Sequence, residues 1–205
     1  MSITFEFKTE LWTPTYTQIS ANTINDFKIA IKSIPLNSLL YHFYINIFNY
    51  NLISSIYTNS FADWFYRNGY YSLAEEVAFI DPTEYLDLEN LRQDLINILS
   101  KYNDDKIMQN AFYFLTIKRN IFFTNLKANT LEEFVNGIKN SSINSIFYHL
   151  VMSKLDNKKL INDYSEWLSI QGHFQKAELI NKINLDIYVL NLIQVKQLIL
   201  EILTG

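Results

Sequence analysis

The sequence predicts a mainly α fold made of two pseudo-symmetric helical repeats, and three observations carry that prediction. Only four Gly and three Pro occur in 205 residues, too few turn residues for an all-β chain of many short strands. Apolar residues recur at three- and four-residue spacing between Asn- and Asp-containing stretches, as amphipathic helices require. The chain also matches itself, with Ala21-Asn22-Thr23 over Ala128-Asn129-Thr130 at an offset of 107.

That register places Phe5 and Phe7 on Phe112 and Phe114, Phe27 on Phe134, Asn37-Ser38 on Asn144-Ser145, and Tyr41-His42 on Tyr148-His149. Four residues are then lost, and at offset 103 Asn59 meets Asn162, Trp64 meets Trp167, Gly69 meets Gly172, Ala74-Glu75 meet Ala177-Glu178 and Tyr85 meets Tyr188. A repeat of this length is recognised before a fold is assigned. Two copies are too few for a solenoid, so the expected domains are residues 1–105 and 106–205, joined at the polar run Asn103-Asp104-Asp105-Lys106. About four helices are expected per copy, eight in total, each set opened by one short strand.

The strands are placed at Thr4 to Trp12 and Ala111 to Arg119 by their period-two alternation; Ile117 to Phe123 fits irregular structure equally well. Thr130 with Glu133 forms a capping box, and Thr23 with Asp26 approximates one with a shorter acid. Phe27, Ile31 and Ile34 follow at helical spacing. Pro35 suits the first turn of a helix carrying Leu36, Leu39, Leu40, Phe43 and Ile47, matched by Ile143, Ile146, Phe147, Leu150 and Val151. Ser60 with Asp63, and Asp163 with Glu166, provide the N-terminal acceptor and first-turn acid of a third helix with Trp64 or Trp167 on its inner face. Gly69 and Gly172 stand where that helix needs a left-handed stop, a short helix follows, and Asp87 and Asn191 cap the last ones.

Bulk properties narrow the function classes. With 49% hydrophobic residues the chain can bury a core, and a net charge of −4 without any basic block disfavours a broad grip on nucleic acid or anionic lipid. Cysteine is absent, which removes disulfides and thiolate chemistry. The start alternates polar and apolar residues, unlike an export signal, and the greasiest window, Phe43 to Ile53, is broken by Asn46, Asn49 and Asn51. A cytoplasmic location without membrane attachment is expected. Abundant Asn and Ile fit an AT-rich genome and carry no functional weight.

The candidate chemistry is Ser38, Tyr41 and His42, repeated as Ser145, Tyr148 and His149. Ser and His four apart share a helical face and fit a nucleophile and base, or a polar handle in a pocket. The favoured alternative is that each His satisfies a buried polar group, because no orienting third group or oxyanion donor is evident. Trp64 and Trp167 are read as core anchors before stacking platforms, and Glu75, Glu76 and Glu178 as a solvated face before acid–base carboxylates. His42, His149 and His173 are too widely separated for a metal motif, and no glycine-rich phosphate loop exists, so neither metal nor cofactor is expected.

The runs Ser38-Leu39-Leu40-Tyr41-His42-Phe43, Asn59-Ser60-Phe61-Ala62-Asp63-Trp64, Leu73-Ala74-Glu75, Ile80-Asp81-Pro82 and Leu88-Glu89-Asn90-Leu91-Arg92 resemble the uncharacterised domain of unknown function 5752 family. The second copy departs where Asn184-Leu185 replaces Asp81-Pro82 and Lys196 replaces Arg92. The resemblance supplies no catalytic residues. It implies a partner or regulator in carbohydrate metabolism, since relatives occur near glycosyltransferase and trehalose-related genes. The leading expectation is a non-enzymatic interaction or regulatory module with a protein partner or a homo-oligomeric state. The alternative is a small enzyme or ligand-binding protein using the His42/His149 and tyrosine clusters, and nucleic-acid binding ranks third.

Overall fold

In a computed structural model of the protein, residues 3–48, 57, 59–183 and 191–205 are described, and the described part is mainly helical. Asn184, Leu185 and Tyr188 of the register lie outside the described residues. Two strands, β1 (Phe5–Ala21) and β2 (Phe112–Ala128), pair as a two-stranded antiparallel sheet. The chain divides into a continuous unit, residues 12–118, and a split unit, residues 1–11 with 119–205. Each strand therefore starts in one unit and ends in the other.

The continuous unit contains α1 (Ile24–Ser33), α2 (Leu36–Phe48), α3 (Ser60–Arg67), α4 (Tyr71–Ala78) and α5 (Leu88–Ser100). Thr23 accepts from the Asp26 amide while Asp26 accepts from the Thr23 amide, closing a full capping box on α1. Buried Arg92 on α5 donates to the Ile31 and Ile34 carbonyls at the end of α1, which would otherwise lack partners. Fully buried Phe27, Phe61, Phe65, Leu91, Leu95 and Leu99 make the core, and Phe112 and Phe114 of β2 complete it.

The split unit contains α6 (Leu131–Asn140), α7 (Ile143–Phe147), a π-helical turn (Tyr148–Met152), α8 (Ser153–Asn157), α9 (Asp163–Ile170), α10 (Phe174–Asn181) and α11 (Leu192–Thr204). Lys196 donates to the Lys139 and Ser141 carbonyls at the end of α6, so the departure from Arg keeps a cation on a helix C-terminus. Its core, led by Phe134, Ile138, Tyr164 and Leu168, is completed by Phe5 and Phe7 of β1. At about 2 kcal/mol per buried Phe side chain, each pair is a substantial anchor for its strand.

Several expectations change. The strands are 17 residues long, not short, and Ile117 to Phe123 is strand throughout. Past Trp12 the alternation is between polar residues on a largely exposed ribbon, which leaves no hydrophobic signal. Helices number more than eight among the described residues, since the matched second helix of the split unit is divided into α7, a π-helical turn and α8, while Gly69 and Gly172, at φ 85 and 86°, separate α3 from α4 and α9 from α10. The third-helix caps are Asn59 and Asn162, which accept from the Ala62 and Ser165 amides, so Ser60 and Asp163 are the first helical residues. The capping boxes are reversed in completeness, since Glu133 accepts from Asn129 and not from Thr130.

Candidate functional site

Helix α2 carries Asn37, Ser38, Tyr41 and His42 beside the first half of β2. The His42 ring is buried, 2% exposed, between Phe61 and Phe112. Its Nε2 accepts the Leu115 main-chain N–H at 3.0 Å, which leaves the ring proton on Nδ1, donated to Ser60 Oγ at 2.7 Å. Asn37 reaches the same strand and donates to the Ile117 carbonyl at 3.1 Å. Burial pushes the His42 pKa down to about 3, since the imidazolium would have no water around it.

In the split unit the same side-chain types grip the start of β1. His149, 1% exposed, accepts the Lys8 N–H on Nε2 at 2.8 Å and donates from Nδ1 to Asp163 Oδ2 at 2.8 Å. Ser145 donates to the Lys8 carbonyl at 2.6 Å and Asn144 to the Glu10 carbonyl at 3.2 Å. Burial again lowers the histidine pKa, opposed by the Asp163 carboxylate. Trp64 and Trp167 finish the two grips, donating from Nε1 to the Asn110 and Ile3 carbonyls while stacking on Phe27 and Phe134.

Of the sequence candidates, His42, His149 and Ser145 touch strand backbone. Tyr41 and Tyr148 stand edge-on to their neighbouring imidazoles with centroids 5.0 Å away, and burial pushes Tyr148 up to about 12. Ser38 is fully buried and its Oγ has no hydrogen-bond partner among the described residues. Neither Ser38 nor Ser145 hydrogen-bonds its histidine: one lacks a partner and the other gives its proton to Lys8. A general base needs a free lone pair facing the proton it takes. Both Nε2 lone pairs are occupied by main-chain amides, so the His149–Asp163 pair has the orienting half of a catalytic triad and no open base.

The remaining candidates disperse. Glu75 accepts from Tyr57, Glu76 binds Lys101 and Tyr102, and Glu178 pairs with Lys182. His173 precedes α10 without capping it. Among the described residues no group of three His, Cys, Asp or Glu side chains could hold a metal ion, and no helix is long and apolar enough to cross a membrane. Sequence reasoning missed Asn37, Asn144, Ser60 and Asp163 as partners of this arrangement. Their repetition at matched positions was the available signal. It also missed the ion cluster in which Arg119 binds buried Glu10 and, at 2.7 Å, Asp156, because these residues meet only through the fold. An open groove of about 430 Å³, lined in part by Lys8, Phe123, Asp163, Glu166 and Trp167, lies outside the His149 contact.

One family profile, described as a family of unknown function (DUF5752), matches residues 2–204. The chain belongs to this family. Because one match spans the whole length, a DUF5752 member corresponds to both sequence halves together. A solved structure titled "The structure of OrfY from Thermoproteus tenax" is similar at 25% identity and a TM-score of 0.85, covering 98% of this chain and 94% of that one. No protein of curated function matches.

Proposed function

We propose that this DUF5752 protein is a non-enzymatic interaction or regulatory module, built from two tandem diverged copies that exchange their opening strands. The supporting observation is that both repeated histidines commit both ring nitrogens to holding structure. The exchange is supported by four contacts that recur at the repeat offsets, 107 for all positions except the tryptophans, which are 103 apart. His42 to Leu115 parallels His149 to Lys8, Asn37 to Ile117 parallels Asn144 to Glu10, Trp64 to Asn110 parallels Trp167 to Ile3, and Thr17 to Phe114 parallels Thr124 to Phe7. Each copy thus lends its strand to the other copy's helices, with residues 1–105 and 106–205 as the two copies.

The resemblance directs the search for a partner towards carbohydrate metabolism, and the cytoplasm is the compartment in which we place the encounter. The test is tagged purification from the native host, followed by re-expression of any stoichiometric companion and titration calorimetry of the two pure proteins. A companion that binds 1:1 and changes its own activity in the complex is the expected result. Repeated recovery of the chain alone overturns the reading. The enzyme alternative requires a ring nitrogen to be released from its strand amide, and a ligand-induced thermal shift abolished by His149→Gln would favour it.

A further inference from the structure

We propose that the His149 contact is a proton-operated latch, which on acidification releases the start of β1 from the split unit while His42 keeps the start of β2 seated in the continuous unit. The latch works through donor and acceptor identity. Neutral His149 offers a lone pair on Nε2 to the Lys8 N–H. A proton added there turns the acceptor into a donor, so two N–H groups face each other across 2.8 Å and the strand amide loses its partner.

The two units differ in what stands behind the ring. His149 has the Asp163 carboxylate on Nδ1, and the Asp163 side chain is 20% exposed, so an imidazolium formed there gains a salt bridge and a path to solvent. His42 has the Ser60 hydroxyl, a neutral group that gives a buried cation far less compensation. Facing His149 from the packed elements are the Lys8 main chain and ammonium from β1, of which the ammonium opposes its charging, and Asp163 and Tyr164 from α9; Tyr148 flanks it on its own helix. Burial, the largest cause at both rings, keeps them neutral near pH 7 and both strands seated there, and the carboxylate makes the split unit the first to yield in acid.

Other groups tie β1 down, and they set what release means. Ser145 binds the Lys8 carbonyl, and Arg119 binds Glu10 three residues past Phe7. Loss of the Lys8 amide contact leaves the segment from Thr4 to Phe7 held by the Trp167 bond to the Ile3 carbonyl, the Thr124 bond to the Phe7 carbonyl, the Lys127–Glu6 pair and the packing of Phe5 and Phe7. It then opens more often over the aromatic surface formed by Phe134, Tyr164 and Trp167.

The test uses the full chain labelled with nitrogen-15 and titrated from pH 7 to 4, reading the imidazole nitrogens together with the Lys8 and Leu115 amide signals. The Lys8 signal should shift and broaden at the pH where His149 charges, while the Leu115 signal stays unmoved. Asp163→Ser, which copies the Ser60 arrangement, should lower that midpoint by about 1–3 pH units. In His149→Gln, whose amide oxygen accepts from N–H without titrating, Lys8 should stay protected and pepsin should cut slowly at Phe5 and Phe7 at pH 4.5. Persistence of the wild-type Lys8 signal after His149 charges overturns the proposal. So does simultaneous loss of the Lys8 and Leu115 signals, which is global acid unfolding. If the variants do not fold, the wild-type titration alone decides.

Discussion

The continuous and split units hold their strands by the same main-chain contacts with different chemistry behind them. In the continuous unit His42 leans on a hydroxyl, Phe61 and Ala62 fill the space beneath, and Ile117 is a buried apolar strand residue. In the split unit the matched positions are Asp163, Tyr164, Ser165 and Glu10, and Glu10 joins an ion cluster with Arg119 and Asp156. What stays constant is the imidazole lone pair placed on a strand amide. That constancy follows from an asymmetry in energies, since an unmet buried N–H costs about 1–3 kcal/mol whatever surrounds it, while the residues behind the ring can vary as long as Nδ1–H has an acceptor.

The comparison breaks most sharply in acid. The folded pKa of His42 is below the unfolded value of 6.5, so it contributes no pH dependence above 6.5. Below 6.5 the unfolded chain takes up a proton that the native ring refuses, and stability falls as pH drops towards 3. From 6.5 to about 3, at ~1.4 kcal/mol per pH unit, the loss is on the order of 5 kcal/mol. Urea unfolding at a series of pH values should show this slope, and His42→Gln should remove one proton's worth of it. A slope unchanged in the variant would mean that His42 is not the group being charged.

A smaller effect separates the two first helices. Gly137 on α6 occupies the place of Ala30 on α1, and a Cβ there would lie 2.3 Å from atoms of the buried Phe7 ring. In an open helix Gly→Ala stabilises by about 1 kcal/mol. Here the ring must move, and Gly137→Ala should destabilise by about 1–3 kcal/mol. Chemical denaturation measures the sign, and a stabilised variant would show that Phe7 has room to shift.

The smallest effect distinguishes the two serines. Ser145→Ala loses the bond to the Lys8 carbonyl and should cost about 1 kcal/mol, whereas Ser38→Ala removes a buried hydroxyl that bonds nothing and should be neutral or stabilising by up to ~1 kcal/mol. Equal losses at both positions, seen by thermal unfolding, would erase the difference between the units at this point.

Much of the helical framework is legible in residue types and spacing. Thr23 and Asp26, Gly69 and Gly172, and Asp87 and Asn191 mark helix ends by local chemistry, because a cap or a left-handed stop is satisfied within a few residues. The repeated His, Asn and Trp were visible as a pattern, and their burial could be anticipated from their place among apolar residues. The pattern could not name their partners. Ser60 and Asp163 read as caps because a first-turn residue and a cap differ by one position that propensity does not resolve.

The sequence by itself determined most of the helical segments and their caps, and placed Phe5, Phe7, Phe112 and Phe114 at matched positions of alternating strands, since local hydrogen bonding and period-two patterning settle those matters within one segment. Only the tertiary structure decided that Phe5 and Phe7 are buried by the helices after residue 130, and Phe112 and Phe114 by those before residue 100. With similar helices in both halves, either strand fits either set by composition. The choice lies in how the chain runs through β1 and β2, and that is a property of three-dimensional connection which no local spacing encodes.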